Sequence, residues 1–406
     1  MHKLAEYEPV VGRQIIDELH LLASKAQSKS VQNINSTAMG GGVAEILNRM
    51  VPFLKELGVN AGWDVIKGGE EFFKVTKKFH NALHGWPVEI THDDFQLFME
   101  NGRRNSAEMN INADIIFVHD PQPIMLIERK KDLGREWIWR CHVDVSQALE
   151  SVWNFLMTYI NQYDATVFSH PAFAKQMPLP QYMICPSIDP LADKNRDLSR
   201  EEIDQVLHKL GIKNDKPIVT QISRFDYLKD PVGVIEVYKM VKRYVDCQLI
   251  LAGGGATDDP EGAQVLKEVE EKAADDPDIH VLLLPGGSDI EINALQRASD
   301  VIVQKSIREG FGLTVAEALW KARPVVASAV GGITLQIAHK YSGLLSHTIE
   351  GTAYFVKQIL NDPEYGQRLG KNGREHVLNN FLLTRHLKEY LLLFLSLGRK
   401  EDIVYL

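Results

Sequence analysis

The chain is poor in cysteine: it has three, Cys141, Cys185 and Cys247. The number is odd, no two form a CxxC pair and no nearby His pair has metal-ligand spacing, so neither a disulfide framework nor a zinc site is expected. They read as reduced, mostly buried thiols, with Cys141 set apart by its place in a motif discussed below. Positive charge is not in excess either. The formal net charge is -9, which argues against a protein devoted to nucleic-acid phosphates but leaves room for a local basic site that binds a diphosphate. Long apolar runs are also missing. Ala113–Val118, Ile218–Ile222 and Leu249–Gly253 are too short to cross a bilayer, and the opening MHKLAEYEPV lacks an apolar signal core. The expectation is a cytoplasmic protein with no membrane and no nucleic-acid partner.

What is present is an ordinary globular balance, 45% hydrophobic and 24% charged residues. At 406 residues the chain exceeds what one core usually fills, so two domains are expected. Short β-branched runs alternate with longer helical patterns, as in a parallel sheet with crossover helices. The first half offers strands at Val31–Ile34, Ala61–Val65, Ile115–Val118, Trp137–Arg140, Ala165–Phe168 and Tyr182–Ile184. The second offers Ile218–Ile222, Cys247–Ala252, His280–Leu284, Val301–Val303, Pro324–Ala327 and Gly343–Leu345. Each set is the size of one doubly wound, Rossmann-like α/β sheet. Pro186-Ser-Ile-Asp-Pro190 and the polar stretch after it mark the boundary. The expected domains are residues 1–190, joined by a C-terminal helical segment 376–406, and residues 191–375. Within that segment Asn379–Leu397 reads as one amphipathic helix that crosses back to the first domain.

The most informative stretch is Arg308-Glu-Gly-Phe-Gly-Leu-Thr-Val-Ala-Glu-Ala-Leu-Trp320. It follows a strand and opens a helix, so Gly310-Phe-Gly312 lies where backbone N–H groups can bind anions or sugar hydroxyls without a side chain. Glu309 stands before the turn and Glu317 in the first or second turn of the helix. Two carboxylates so placed suit vicinal hydroxyls on a hexose and on a ribose. The plainer alternative is a Gly-rich turn with Glu317 near a helix N-terminus for dipole reasons. Ser223-Arg-Phe-Asp-Tyr-Leu-Lys229-Asp-Pro follows another strand, and its Arg224 fork and Lys229 point charge suit an anionic leaving group. Two solvated cations in a surface loop would be the plainer reading.

In the first half, Asn35-Ser-Thr-Ala-Met-Gly-Gly-Gly-Val-Ala-Glu45 follows a strand and leads into a helix. Gly40, Gly41 and Gly42 are contiguous, so the GxGxxG dinucleotide fingerprint is not met and a dehydrogenase is disfavoured. Val118-His-Asp-Pro-Gln-Pro123 and Trp139-Arg-Cys-His-Val-Asp144 put His119, Asp120, His142 and Asp144 beyond strand ends, where open α/β sheets bind ligands. His142 and Asp144 are candidates to contact a donor hexose and an acceptor hydroxyl.

The Glu-x7-Glu spacing around GFG, followed by a helix and Pro324-Val-Val-Ala-Ser-Ala-Val-Gly-Gly332, resembles the retaining GT-B glycosyltransferases of family 4. The resemblance implies two Rossmann-like domains facing an interdomain cleft. It further implies that Glu309 and the amides of Gly310, Phe311 and Gly312 hold the donor sugar, and that Glu317 holds the ribose. The amides of Leu313 and Thr314 would meet the diphosphate, whose charge Arg224 and Lys229 would neutralise, so no metal or other cofactor is expected. The loop Gly40 to Gly42 with Glu45, and His119 with Asp120, would serve the acceptor side. Gly253 and Gly254 join the nucleotide side, although Gly253-Gly-Gly255 and the acidic loop after it depart from the pattern and leave the nucleobase open.

A narrower resemblance covers nearly the whole chain. NSTxxGGGVAE, FFxVTKxxHNxLxG (Phe72 to Gly85), HDPQP and WRCHxD look like the trehalose glycosyltransferring synthases. That implies a retaining, reversible transfer from a nucleoside diphosphate glucose to glucose, giving trehalose, with a homodimer left open. Double displacement needs a carboxylate under the anomeric carbon, which the sequence cannot place; the resemblance favours the front-face route, with the choice between the two left open. The alternatives left open are another family 4 hexosyltransferase (sucrose-synthase-like or sucrose-phosphate-synthase-like), a GT-B sugar-nucleotide epimerase, and a non-catalytic sugar-nucleotide sensor.

Overall fold

Strands covered by helices on both faces must be apolar on both. Every residue of Ile115–His119, Ala165–Phe168, Ile218–Ile222 and Gln248–Gly253 is buried, the continuous pattern of a parallel sheet rather than the alternating one of a half-exposed sheet. The computed structural model describes residues 2–39, 41–254 and 262–397. It contains two compact units, Met1–Ser187 with Leu383–Leu406, and Ile188–Leu382.

In the first unit β1 (Ser30–Asn35), β2 (Asn60–Val65), β3 (Ile115–His119), β4 (Glu136–Cys141), β5 (Ala165–Phe168) and β6 (Gln181–Met183) form a parallel sheet in the order β2-β1-β3-β4-β5-β6. The order changes direction between β1 and β3. In the second unit β7 (Ile218–Ile222), β8 (Gln248–Gly253), β9 (Ile279–Leu283), β10 (Val301–Gln304), β11 (Val325–Ser328) and β12 (Leu344–Ser346) pair as β12-β11-β10-β7-β8-β9. Here the change falls between β7 and β10, the doubly wound order of a dinucleotide-binding sheet without its glycine fingerprint. A crevice opens at the carboxyl ends of strands where the order reverses, and ligands of open α/β sheets bind there. The two α/β sheets are those the sequence implies.

The end of the chain differs from the expectation of one helix over Asn379–Leu397. One helix runs Pro363–Asn380 and a second Leu383–Ser396. Between them the N–H of Ile188 donates to the carbonyl of Phe381 at 2.9 Å, and Ile188 bridges Leu382 as an isolated parallel pair. That extended pairing is incompatible with helical backbone, so the helix stops. Leu383–Ser396 belongs to the first unit, where Tyr390 and Phe394 pack edge-on against Phe117 of β3 and Arg385 donates to the carbonyls of Cys185 and Pro186 at 2.9 and 2.8 Å. Residues 398–406, the rest of the expected C-terminal segment, lie outside the described residues. No helix among the described residues is long and apolar enough to cross a membrane.

Candidate functional site

In the second unit the reversal between β7 and β10 gathers the residues singled out above. β10 ends at Gln304, and a loop leads through Glu309 to Gly312, which adopts φ +86° and caps the helix Leu313–Trp320. That left-handed backbone is open to glycine at little cost. The first N–H groups of the helix have no intrahelical acceptor and point out of its N-terminus. The loop is held from behind: Gln336 Nε2 donates to the carbonyls of Phe311 and Gly312 at 2.5 and 3.3 Å, and a Cβ on Gly332 would come within 2.5 Å of the Gly310 oxygen.

Glu309 is buried and its carboxylate is fixed. Oε2 accepts from Lys229 Nζ at 2.6 Å and from Ser306 Oγ at 3.1 Å. Behind Ser306 stands Gln304, which donates to Ser306 Oγ at 3.0 Å and accepts from Thr314 Oγ1 at 3.1 Å. The two halves of the sequence pattern, Lys229 from the β7 side and Glu309 from the β10 side, therefore meet in one ion pair. Arg224 is half-exposed, 3.7 Å from Asp226. Glu317 is buried with Lys194 Nζ at 3.9 Å, and Lys305 pairs with Asp230 at 3.0 Å. Gly253 ends β8, and a Cβ there would lie 1.8 Å from the Ser223 oxygen, so it lets β8 approach the chain leaving β7. Gly254 follows, half-buried; Gly255 and the acidic loop lie outside the described residues.

In the first unit the reversal between β1 and β3 brings together the glycine loop and His119. Gly41 caps the helix Gly42–Glu56 at φ +96°, with Glu45 exposed on the first turn; Gly40 lies outside the described residues. Beyond β3 and β4, His119 Nδ1 and His142 Nε2 are 3.1 Å apart, and His119 Nε2 meets Asn33 Oδ1 at 3.2 Å. Burial, and then the Arg140 guanidinium, hold both imidazoles well below their ordinary pKa. Asp120 takes φ +64° and accepts the His142 N–H at 2.8 Å. Burial pushes its carboxyl up to about 6, against the opposing pull of that N–H and of Arg140. Asp144 Oδ1 accepts from the N–H and the hydroxyl of Ser146 at 2.9 and 2.6 Å, so part of this candidate's capacity goes to its own turn. Cys141 is buried and its thiol pushed well up by burial, which makes it a packing residue rather than a nucleophile.

Sequence reasoning did not single out Asn33, Arg140, Lys194, Gln304 or Ser306. Arg140 stood in a quoted motif and Gln304 at a strand end, where a polar side chain among buried neighbours is the available signal. Lys194 gave none, lying in a polar linker that reads as solvated. Among the described residues no three His, Cys, Asp or Glu side chains converge as a metal site.

Comparison with known proteins follows the same division. Residues 33–175 match a family model described as trehalose synthase, N-terminal domain, and residues 202–376 one described as glycosyl transferases group 1. The chain is 45% identical over 407 residues to the trehalose synthase of Rubrobacter xylanophilus, spanning 98% of this chain and 97% of that one. It is 42% identical over 404 residues to that of Pyrococcus horikoshii, with the same shares. Of solved structures, a sucrose-phosphate synthase from Thermosynechococcus elongatus has the same fold, with a TM-score of 0.69 at 18% identity over 90% of this chain and 98% of that chain.

Proposed function

This chain belongs to the trehalose synthase family, a family of GT-B glycosyltransferases, and from that premise we propose that it transfers glucose from a nucleoside diphosphate glucose to free glucose. The product is α,α-1,1-linked trehalose, formed with retention, without an essential metal, and reversibly. The observation that carries the reading is the Lys229–Glu309 pair at 2.6 Å beside the N-terminus of Leu313–Trp320. A departing diphosphate gains negative charge in the transition state, and a helix end with fixed cations stabilises charge where it develops. Glu309, held on one oxygen by Lys229 and Ser306, accepts from donor-sugar hydroxyls; Glu317 accepts from the ribose. Arg224 and Lys229 face the diphosphate. The amides of Gly310 to Thr314 complete the donor side.

On the acceptor side, His142, His119 and Asp120 with the glycine loop suit a neutral polyol, because neutral imidazoles can exchange hydrogen bonds with hydroxyls at no cost in charge. The leaving phosphate takes the acceptor proton in a front-face attack. A cytoplasmic address agrees with the use of a nucleotide sugar.

The test is a donor-by-acceptor panel: uridine, adenosine and guanosine diphosphate glucose against glucose, glucose 6-phosphate, fructose and no acceptor, with and without a chelator. The expected result is trehalose and free nucleoside diphosphate with glucose alone, unaffected by chelator, and the reverse reaction from trehalose plus nucleoside diphosphate. Turnover of the donor without an acceptor would point to an epimerase, and transfer only to another acceptor would replace the proposed product.

A further inference from the structure

Arg140 is fully buried, yet among the described residues its guanidinium forms no ion pair; it lies over the Tyr390 ring at 5.6 Å, Nη2 donates to the carbonyl of Ile184 at 2.8 Å and Nε to His142 Nδ1 at 3.5 Å. An unpaired buried cation is costly and calls for a reason. The reason lies in a chain of four side chains whose direction is set independently at both ends. At the far end Asn33 Nδ2 lies 3.2 Å from the Gly62 carbonyl, which can only accept. That fixes the amide so that Oδ1 faces His119 Nε2, which must therefore carry the proton. A neutral His119 then has a bare Nδ1, and only a protonated His142 Nε2 can bond to it. This leaves His142 Nδ1 bare. At the near end Arg140, always protonated, can only donate, and it donates to that same Nδ1.

We propose that Arg140 is a positioning residue, which together with the Gly62 carbonyl locks the Asn33–His119–His142 chain in one direction and so presents His142 to the substrates in a single tautomer. The proposal rests on the acceptor-side role given to His142 above. The charged and titratable groups coupled to the two rings are Arg140 on β4, each ring to the other, and His386 on Leu383–Ser396, with the Asp120 carboxyl on the His142 backbone N–H. All the histidines here have their protonated forms suppressed by burial and then by Arg140. His142 therefore meets a sugar as a neutral ring. It gives up its Nε2 proton to a ligand only by breaking with His119, which leaves the acceptor proton to the leaving phosphate.

The experiment uses the full chain with nitrogen-15 histidine, without substrates, and reads ring tautomers by long-range proton–nitrogen correlation from about pH 5.5 to about pH 8. His119→Gln and His142→Gln identify the signals. The expected result is the Nε2–H tautomer for both rings across that range. In Arg140→Gln, an Nδ1–H form of His142 should appear beside the Nε2–H form, and kcat should fall by about 10²-fold, the scale of a small misplacement, with the donor KM within about twofold. An imidazolium or an Nδ1–H tautomer at His142 in the native chain overturns the proposal, as does an Arg140→Gln protein with unchanged tautomers and kcat. If Arg140→Gln does not fold, the native spectra and those of Asn33→Ala decide: loss of the single His119 tautomer supports the chain and an unchanged one overturns it. Because the tautomers are read without substrates, a protein that makes no trehalose can still show the lock, and one that makes trehalose can lack it.

Discussion

The two strand-order reversals are built alike and furnished differently. Between β7 and β10 the polar groups are ionised and balanced: Lys229 with Glu309, Lys305 with Asp230, and Arg224 near Asp226. Between β1 and β3 and at the neighbouring ends of β3 and β4 they are neutral rings, an amide and a carboxyl raised towards neutrality, with one unpaired guanidinium behind them. One topology thus offers two polar settings, a preorganised ionic one and a neutral hydrogen-bonding one, which the proposed function assigns to a diphosphate and to an uncharged sugar. The contrast teaches that strand order sets where an open α/β sheet has its crevice, and that the strand-end residues set the charge of that crevice.

The sharpest way to break the contrast is Glu309→Ala. It should lower kcat by roughly 10³-fold, the upper range for losing one preorganised contact, with an unchanged circular dichroism spectrum; turnover like the native protein's would remove Glu309 from the site. Next, Arg224→Ala should weaken donor binding by about 10- to 100-fold in calorimetry, since a hydrogen bond to a charged group is worth about 1.5–3 kcal/mol. Acceptor KM should not move, and a shift there instead would blur the division of labour.

Smaller effects are expected from pH on stability. His119 and His386 are fully buried with pKa values held well below the unfolded value, so the unfolded chain binds protons that the folded one does not. Stability is therefore complete above about pH 6.5 and is lost as pH falls below it, by about 1.4 kcal/mol per pH unit for each. Half-buried His142 adds less. Asp120 acts the other way, because its raised pKa of about 6 favours the folded state as pH falls from there towards 3.8. The midpoint of thermal unfolding should drop between pH 7 and 5; a flat profile would mean that the neutral cluster is not as enclosed as described. The smallest change should come from Asp120→Asn, because Asn tolerates the left-handed backbone at φ +64°. Unfolding should shift by less than about 1 kcal/mol, and the stabilising contribution below pH 6 should vanish.

Much of this architecture was legible before folding. Buried strands of a parallel sheet are continuous apolar runs, so Ile115–Val118 and Ile218–Ile222 announced themselves, and Gly310-Phe-Gly312 marked a strand-to-helix turn by its need for unusual backbone. The break at Phe381 was not legible, because it depends on pairing between Leu382 and Ile188, far apart in sequence. For the same reason Glu309 and Lys229 could each be suspected but their contact could not, and Asn33 read as one more strand residue. A local pattern names an element; which side chains share a hydrogen bond is decided by strand order.

The return of Leu383–Ser396 to the first unit bears on how the protein is made. Phe117, on a central strand, waits for Tyr390 and Phe394 to cover it, so the unit begun first on the ribosome cannot be finished until all of Ile188–Leu382 has been synthesised. At roughly 5–20 residues per second that delay is about 10 to 40 s. During that interval the nascent chain carries an open apolar face, and a chaperone that shields such surfaces should raise the yield of the full-length chain more than that of the second unit expressed alone.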